Sequence, residues 1–219
     1  MITAIVPARK EEKIIKDKNI LPFGESTLLE HKLKQLKGVQ DLDKIIVSTE
    51  DDNISRIALN AGVEVMIRPE TYASPECLFG DFVEYVCSEL SGDDILWSCV
   101  TSPFIETSDY SDAIKLYYRI LDEGYDSLIT VTKLKRHILD ANGAVNFKRG
   151  IQHKNSEDLN GLFLFTNGIV IAPRNKMIQW KYHWGHLPYM MEISKKKGID
   201  IIDQYDYEVA CALYERDNK

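Results

Sequence analysis

The residues best suited to chemistry cluster at the start of the chain. Ile2-Thr3-Ala4-Ile5-Val6 is a short apolar run. It is followed by Pro7-Ala8-Arg9 and a loop carrying Lys10, Lys13, Lys16 and Lys18 that closes on Asn19. An apolar strand that empties into a cationic loop sets positive charge at the carboxyl edge of a sheet, where open α/β sheets hold their ligands. A phosphate chain is the natural ligand for such cations. The same loop also contains Glu11, Glu12 and Asp17, which would neutralise the lysines if the loop were only a solvated surface turn. Further along, Arg68 stands before Pro69 at the end of another apolar run, and Asp200 lies in Gly198-Ile199-Asp200-Ile201-Ile202.

Alternating elements are needed to bring such residues together, and the sequence supplies them. Ile2–Val6, Lys44–Ser48, Val63–Ile67, Ile95–Val100 and Ser127–Val131 read as strands. Helical spacing runs over Ser26–Leu36 (Leu28, Leu29, Leu33, Leu36), with Ser26 or Thr27 as cap. It recurs after a cap at Asp52 (Ile54, Ile57, Ala58, stopping at Gly62), over Gly80–Leu90, over Asp109–Glu123 after a cap at Ser108, and over Tyr207–Arg216. Repeated β-α-β units predict a mostly parallel sheet with right-handed crossovers. After Lys133 the pattern loosens. Residues 134–160 are polar, with the turn pairs Asn142-Gly143 and Arg149-Gly150, and predict a hairpin or arm. Leu162–Ile171 is β-rich and interrupted by Asn167-Gly168, and Ile199–Ile202 reads as a last strand. Asp203 and Asp206 read as caps of the final helix.

Composition narrows the function. At 219 residues a single domain is expected, and a net charge of −7 argues against nucleic-acid binding by bulk electrostatics. No apolar run reaches the ~20 residues that span a bilayer. The apolar strand begins at residue 2 with no basic leader before it, which predicts a cytoplasmic rather than secreted protein. Cys77, Cys87, Cys99 and Cys211 lack metal-site spacing and read as reduced, structural thiols, and the histidines show no metal pattern either.

The order of the pieces carries more than any one of them. Ile5-Val6-Pro7-Ala8-Arg9 with Lys18-Asn19-Ile20 comes first. Ile45-Ile46-Val47-Ser48-Thr49, Gly62-Val63-Glu64-Val65 to Arg68-Pro69, Thr101-Ser102-Pro103, Asn167-Gly168 and Gly198-Ile199-Asp200-Ile201 with Tyr205-Asp206 follow. Over nearly its whole length the chain resembles the acylneuraminate and Kdo cytidylyltransferase family. The resemblance implies a Rossmann-like sheet flanked by helices, with a small β-rich dimerisation arm at about 134–165. It implies transfer of CMP from CTP to a 2-keto sugar acid, with release of pyrophosphate. It also implies magnesium, a homodimer and no membrane or nucleic-acid partner. Carried onto this chain, Arg9 and Lys13 would hold the triphosphate, and Lys18 and Asn19 phosphate and nucleotide. Arg68, Thr101 and Ser102 would join the binding set, and Asn167 would face the acceptor. Arg9, Lys18 and Asp200 would carry catalysis, with Asp200 and Asp203 at the metal.

The chain also departs from the family pattern. Lys10, Glu11 and Glu12 replace a run of small residues, and two glutamates there would repel a triphosphate unless turned outward. Cys99 and Val100 replace a Gln-Pro pair, Phe165-Thr166 stand where an arginine often precedes Asn-Gly, and Ile202 takes the place of a second aspartate. Asp203, one residue late, could replace that aspartate only if the strand has ended. Two alternatives therefore stay open: a same-fold cytidylyltransferase acting on another acid or phosphorylated acceptor, and a non-catalytic nucleotide-binding relative.

Overall fold

The computed structural model describes residues 1–10, 14–159 and 161–218. In chain order the elements are β1 (Ile2–Pro7), β2 (Pro22–Phe23), β3 (Ser26–Thr27), α1 (Leu28–Lys37), β4 (Lys44–Thr49), α2 (Asp52–Asn60), β5 (Glu64–Ile67), α3 (Glu70–Ala73), α4 (Phe79–Glu89), β6 (Asp94–Trp97), α5 (Thr107–Asp122), β7 (Ser127–Lys133), β8 (Leu139–Asp140), β9 (Gly143–Ala144), β10 (Phe163–Pro173), α6 (Arg174–Trp180), β11 (Pro188–Glu192) and α7 (Gln204–Asp217).

A seven-stranded sheet runs β11-β7-β10-β6-β1-β4-β5. β1 pairs in parallel with β4 and β6, β4 with β5, and β7 with β11, while β10 alone is antiparallel to both its neighbours. The strands are apolar on both faces because helices cover both. Ala4, Val6 and Leu96 face α1, α2, α5 and α7, whereas Ile5, Ile95 and Trp97 face α4 and α6. The expected α/β architecture is therefore present.

Several boundaries differ from expectation for local reasons. Thr27 caps α1 through a reciprocal box with Glu30. Asp51, not Asp52, caps α2, accepting the N–H groups of Asn53 and Ile54 at 2.9 Å. α5 begins at Thr107, one residue before the expected cap Ser108, because the Glu106 N–H is taken by the Asp109 carboxylate at 2.8 Å. β6 stops at Trp97, and the Ser98 N–H to the Ile5 carbonyl (3.0 Å) is the last bond before the chain turns away. Ile199–Ile202 is not a strand. It is an extended segment whose Ile201 N–H bonds the Thr101 carbonyl at 2.8 Å. The seventh strand is β11 instead, which buries Tyr189 and Met191 on one face and exposes Met190 on the other.

Candidate active site

The site begins where β1 ends. The Ala8 N–H still bonds the Ser48 carbonyl at 3.0 Å, so the chain leaves the sheet with Arg9 at the carboxyl edge. Asn19 then closes the loop by donating its side-chain amide to the Arg9 carbonyl at 2.8 Å. Lys18–Ile20 form a short 3-10 turn behind Asp17, which takes a left-handed φ of 51°. Lys10 is drawn to the next strand end: its N–H bonds Glu50 at 2.7 Å and its ammonium meets Asp51 at 3.1 Å. The expectations for Lys13, Glu11 and Glu12 lie outside the described residues.

Arg68 is fixed by the end of β4. Its N–H bonds the Thr49 carbonyl at 2.8 Å. Its guanidinium donates to Ser48 Oγ at 3.2 Å and to the Ser48 carbonyl at 2.8 Å, and it lies 4.2 Å from the Phe82 ring centre. Burial lowers its pKa to about 10; Glu50 opposes that shift and Arg9 adds to it. The group therefore stays charged at neutral pH. Two guanidiniums that disfavour each other are both relieved by an anion placed beside them.

These groups meet in one cleft of about 300 Å³, lined by Arg9, Lys18, Asn19, Arg68 and Thr101 along one side. Tyr72, Phe79, Phe82 and Trp97 also line it, as do Cys77 and Cys99. Cations and amides can bind phosphates while aromatic faces take an apolar or heterocyclic group. Sequence reasoning missed this aromatic wall. It also read the cysteines as structural alone, yet Cys77 and Cys99 line the cleft; as expected, none of the four forms a disulfide. Ser102, expected in the binding set, is fully buried instead. Its Oγ donates to the Thr166 carbonyl at 3.3 Å.

Asn167, expected to face an acceptor, stands in an irregular stretch of β10. β10 breaks register between Phe165 and Val170, and inside that break Asn167 takes a φ of 51°. An asparagine tolerates this conformation better than most residues. Its side-chain amide donates to Asp200 Oδ2 at 3.4 Å. Asp200 lines a second recess of about 410 Å³, together with Lys133, Lys135, Arg136 and Lys195. The segment before Asp200 fits against β7 only because residue 198 is glycine, where a Cβ would lie 2.3 Å from Thr132 Cγ2. Asp203 does not accompany Asp200 as a ligand pair by strand geometry. It caps α7, its Oδ1 accepting the Asp206 N–H at 3.0 Å.

Magnesium suits this donor set. Asp200 offers carboxylate oxygens in the second, cation-rich recess. Among the described residues no three His, Cys, Asp or Glu side chains form a closed metal cage. One carboxylate plus phosphate oxygens is a usual magnesium arrangement.

Among the described residues no helix is long and apolar enough to cross a membrane. A family model described as cytidylyltransferase matches residues 3–158. An N-acylneuraminate cytidylyltransferase of Escherichia coli O18:K1:H7 is 24% identical over 224 residues, covering 100% of this chain and 53% of the relative. The chain spans about half the length of the N-acylneuraminate cytidylyltransferases it matches. Among solved structures, a CMP:2-keto-3-deoxy-manno-octonic acid synthetase complexed with CTP superposes with a TM-score of 0.72 at 13% identity, covering 99% of each chain. A 4-diphosphocytidyl-2C-methyl-D-erythritol synthase from Anaerococcus prevotii superposes at 0.70 with 14% identity, covering 98% of this chain and 96% of the other. The sequence match over residues 3–158, with the sheet and cleft described above, establishes that the chain belongs to the cytidylyltransferase family.

Proposed function

We propose that this chain transfers CMP from CTP to an acidic 2-keto sugar of the sialic-acid type and releases pyrophosphate. The observation that carries the reading is a cleft lined by Arg9, Lys18 and Arg68 together with aromatic side chains, linked to a second, cation-rich recess holding Asp200 by the bond from the Ile201 N–H to the carbonyl of Thr101, which lines the first cleft. Nucleotidyl transfer asks the protein mainly to align an acceptor oxygen with the α-phosphorus and to neutralise the leaving pyrophosphate. Arg9, Lys18 and Arg68 suit the triphosphate, and Asn19 holds the loop that presents Arg9. Lys133, Lys135, Arg136 and Lys195 suit an acceptor carboxylate. A magnesium ion on Asp200 and phosphate oxygens would supply further neutralisation of charge.

The number of cations around the second recess also favours a second reading, in which the acceptor is phosphorylated. We further propose a homodimer through the 134–165 segment, which exposes Leu139, Val145, Ile151 and Phe163. Sedimentation as a monomer at micromolar concentration would remove that part of the reading.

The test is pyrophosphate release from CTP and magnesium, run across neuraminic, legionaminic, pseudaminic and Kdo-type acids and a phosphorylated polyol, with ATP, GTP and UTP alongside. Release with CTP and one acid is the expected result. Release with the phosphorylated acceptor alone selects the second reading. Binding of CTP with no release for any acceptor selects the non-catalytic alternative.

A further inference from the structure

Lys32 lies on the buried stripe of α1, among Leu28, Leu29, Leu33 and Leu36, and is itself fully buried. A buried ammonium costs stability that a leucine or methionine in the same place would not. Its contacts show what is gained in return. Nζ donates to the Ser102 carbonyl at 2.7 Å and to the Tyr110 hydroxyl at 2.8 Å. That hydroxyl shares a 2.7 Å hydrogen bond with Ser98 Oγ. Lys32 thus grips both ends of the 98–102 turn, whose middle residues, Cys99 to Thr101, line the nucleotide cleft.

The grip continues past the turn. Ser102 Oγ donates to the Thr166 carbonyl, and Thr166 Oγ1 donates to the Thr130 carbonyl at 3.0 Å. Thr130 Oγ1 accepts the Ile169 N–H at 2.9 Å. These bonds brace the break in β10 on both sides of Asn167. From the same turn, the Thr101 carbonyl accepts the Ile201 N–H beside Asp200. The bonds that start at Lys32 therefore lead to the residues flanking Asn167 and to the segment that carries Asp200. Burial lowers its pKa to about 7, opposed by Cys99, by Asp109 on α5 and by Asp200; His31 on the same helix is the neighbouring group that its charge disfavours.

We infer that Lys32 is a positioning residue: it clamps the 98–102 turn and through it sets Thr101, Asn167 and Asp200 in register for transfer. The kinetic part of this inference rests on the proposed reaction; the structural part does not. The test compares the whole protein with Lys32→Met by hydrogen exchange, CTP binding and turnover. Exchange should rise about tenfold or more in 98–102, 163–170 and 199–203 and stay unchanged in Ile2–Pro7 and Lys44–Thr49. CTP affinity should fall by less than kcat, because Arg9, Lys18 and Arg68 are held elsewhere and only Cys99 to Thr101 of the cleft belong to the turn, while kcat falls by about a hundredfold. Unchanged exchange, a uniform rise across the sheet, or a retained kcat would overturn the inference. If Lys32→Met does not fold, Tyr110→Phe removes one end of the clamp and should give the same pattern in smaller measure; no change in that variant overturns the inference equally. If the parent protein turns over no acceptor, the transfer reading fails, and the exchange pattern still decides the role of Lys32.

Discussion

The two halves of the sheet edge hold their functional groups by different means. Around β1, β4 and β5 the backbone does the holding. Arg9 is presented by a strand end, Asn19 closes its loop, and Arg68 is bonded to Thr49 and Ser48 at three points. Around β7 and β10 the groups hang on exceptions to regular structure. They sit on a register break, a left-handed asparagine, an irregular segment with a bond to Thr101, and a glycine where a Cβ would meet Thr132 Cγ2 at 2.3 Å. The lysines there meet exposed partners, as in Lys133 with Glu192 at 2.6 Å, and such pairs contribute little stability. Under the proposed reaction, the contrast assigns the strand-end half to the nucleotide and leaves the second half to be retuned for the acceptor without disturbing the first.

The contrast can be broken most severely at Asp200. Asp200→Asn should lower kcat by about a thousandfold while leaving magnesium-free CTP binding unchanged, measured by steady-state kinetics and calorimetry. Arg68→Met probes the other half. It removes a charged donor from a buried site and should weaken CTP binding by about a hundredfold. Arg68→Lys should recover little, because an ammonium cannot bridge both Ser48 acceptors with a planar fork. Gly198→Ala is milder. Its Cβ collides with Thr132, so kcat should fall about tenfold with CTP affinity intact, and adding Thr132→Ser should return most of the loss. A Gly198→Ala variant that loses CTP affinity instead would show the halves to be coupled.

The smallest effect is on stability. The pKa of Lys32 falls from its ordinary 10.5 to about 7 in the folded chain. Between those values the folded state binds fewer protons than the unfolded one, so stability rises as pH climbs from about 7 towards 10.5 and is lowest below 7. Lys32→Met should flatten that rise. The Tm difference between pH 7 and pH 9, taken by calorimetry, should shrink by about 3 °C or more relative to the parent.

The same division governs what the sequence could show. The meeting of Arg9 and Arg68 in one cleft was legible because both follow strand ends: an apolar run, then Arg9, and another apolar run, then Arg68. Fold class followed from the same alternation. The other half was harder, because Ile199–Ile202 has a strand's composition but satisfies its burial through Ile201 without pairing, and short apolar runs carry no periodicity to separate these cases. β11 was missed because its alternation is carried by tyrosine and methionines over five residues. Ser102 read as a ligand group because sequence order does not say which way a turn residue faces. Lys32 did leave a signal, standing four residues from both Leu28 and Leu36 on an apolar stripe. Tyr72, Phe79, Phe82 and Trp97 left none, since they come from three separate elements that meet only in the fold.

The central claim is that the paired recesses join a cytidylyl group to an acid. Phosphorus-31 NMR of CTP with magnesium, the protein and each acid in turn follows the reacting atom itself. The account predicts that the α-phosphorus signal moves to a single phosphodiester resonance as pyrophosphate appears, and only when an accepted acid is present. Cleavage of CTP to CMP regardless of acid, or CTP left intact with every acid by protein that binds it, would contradict the account.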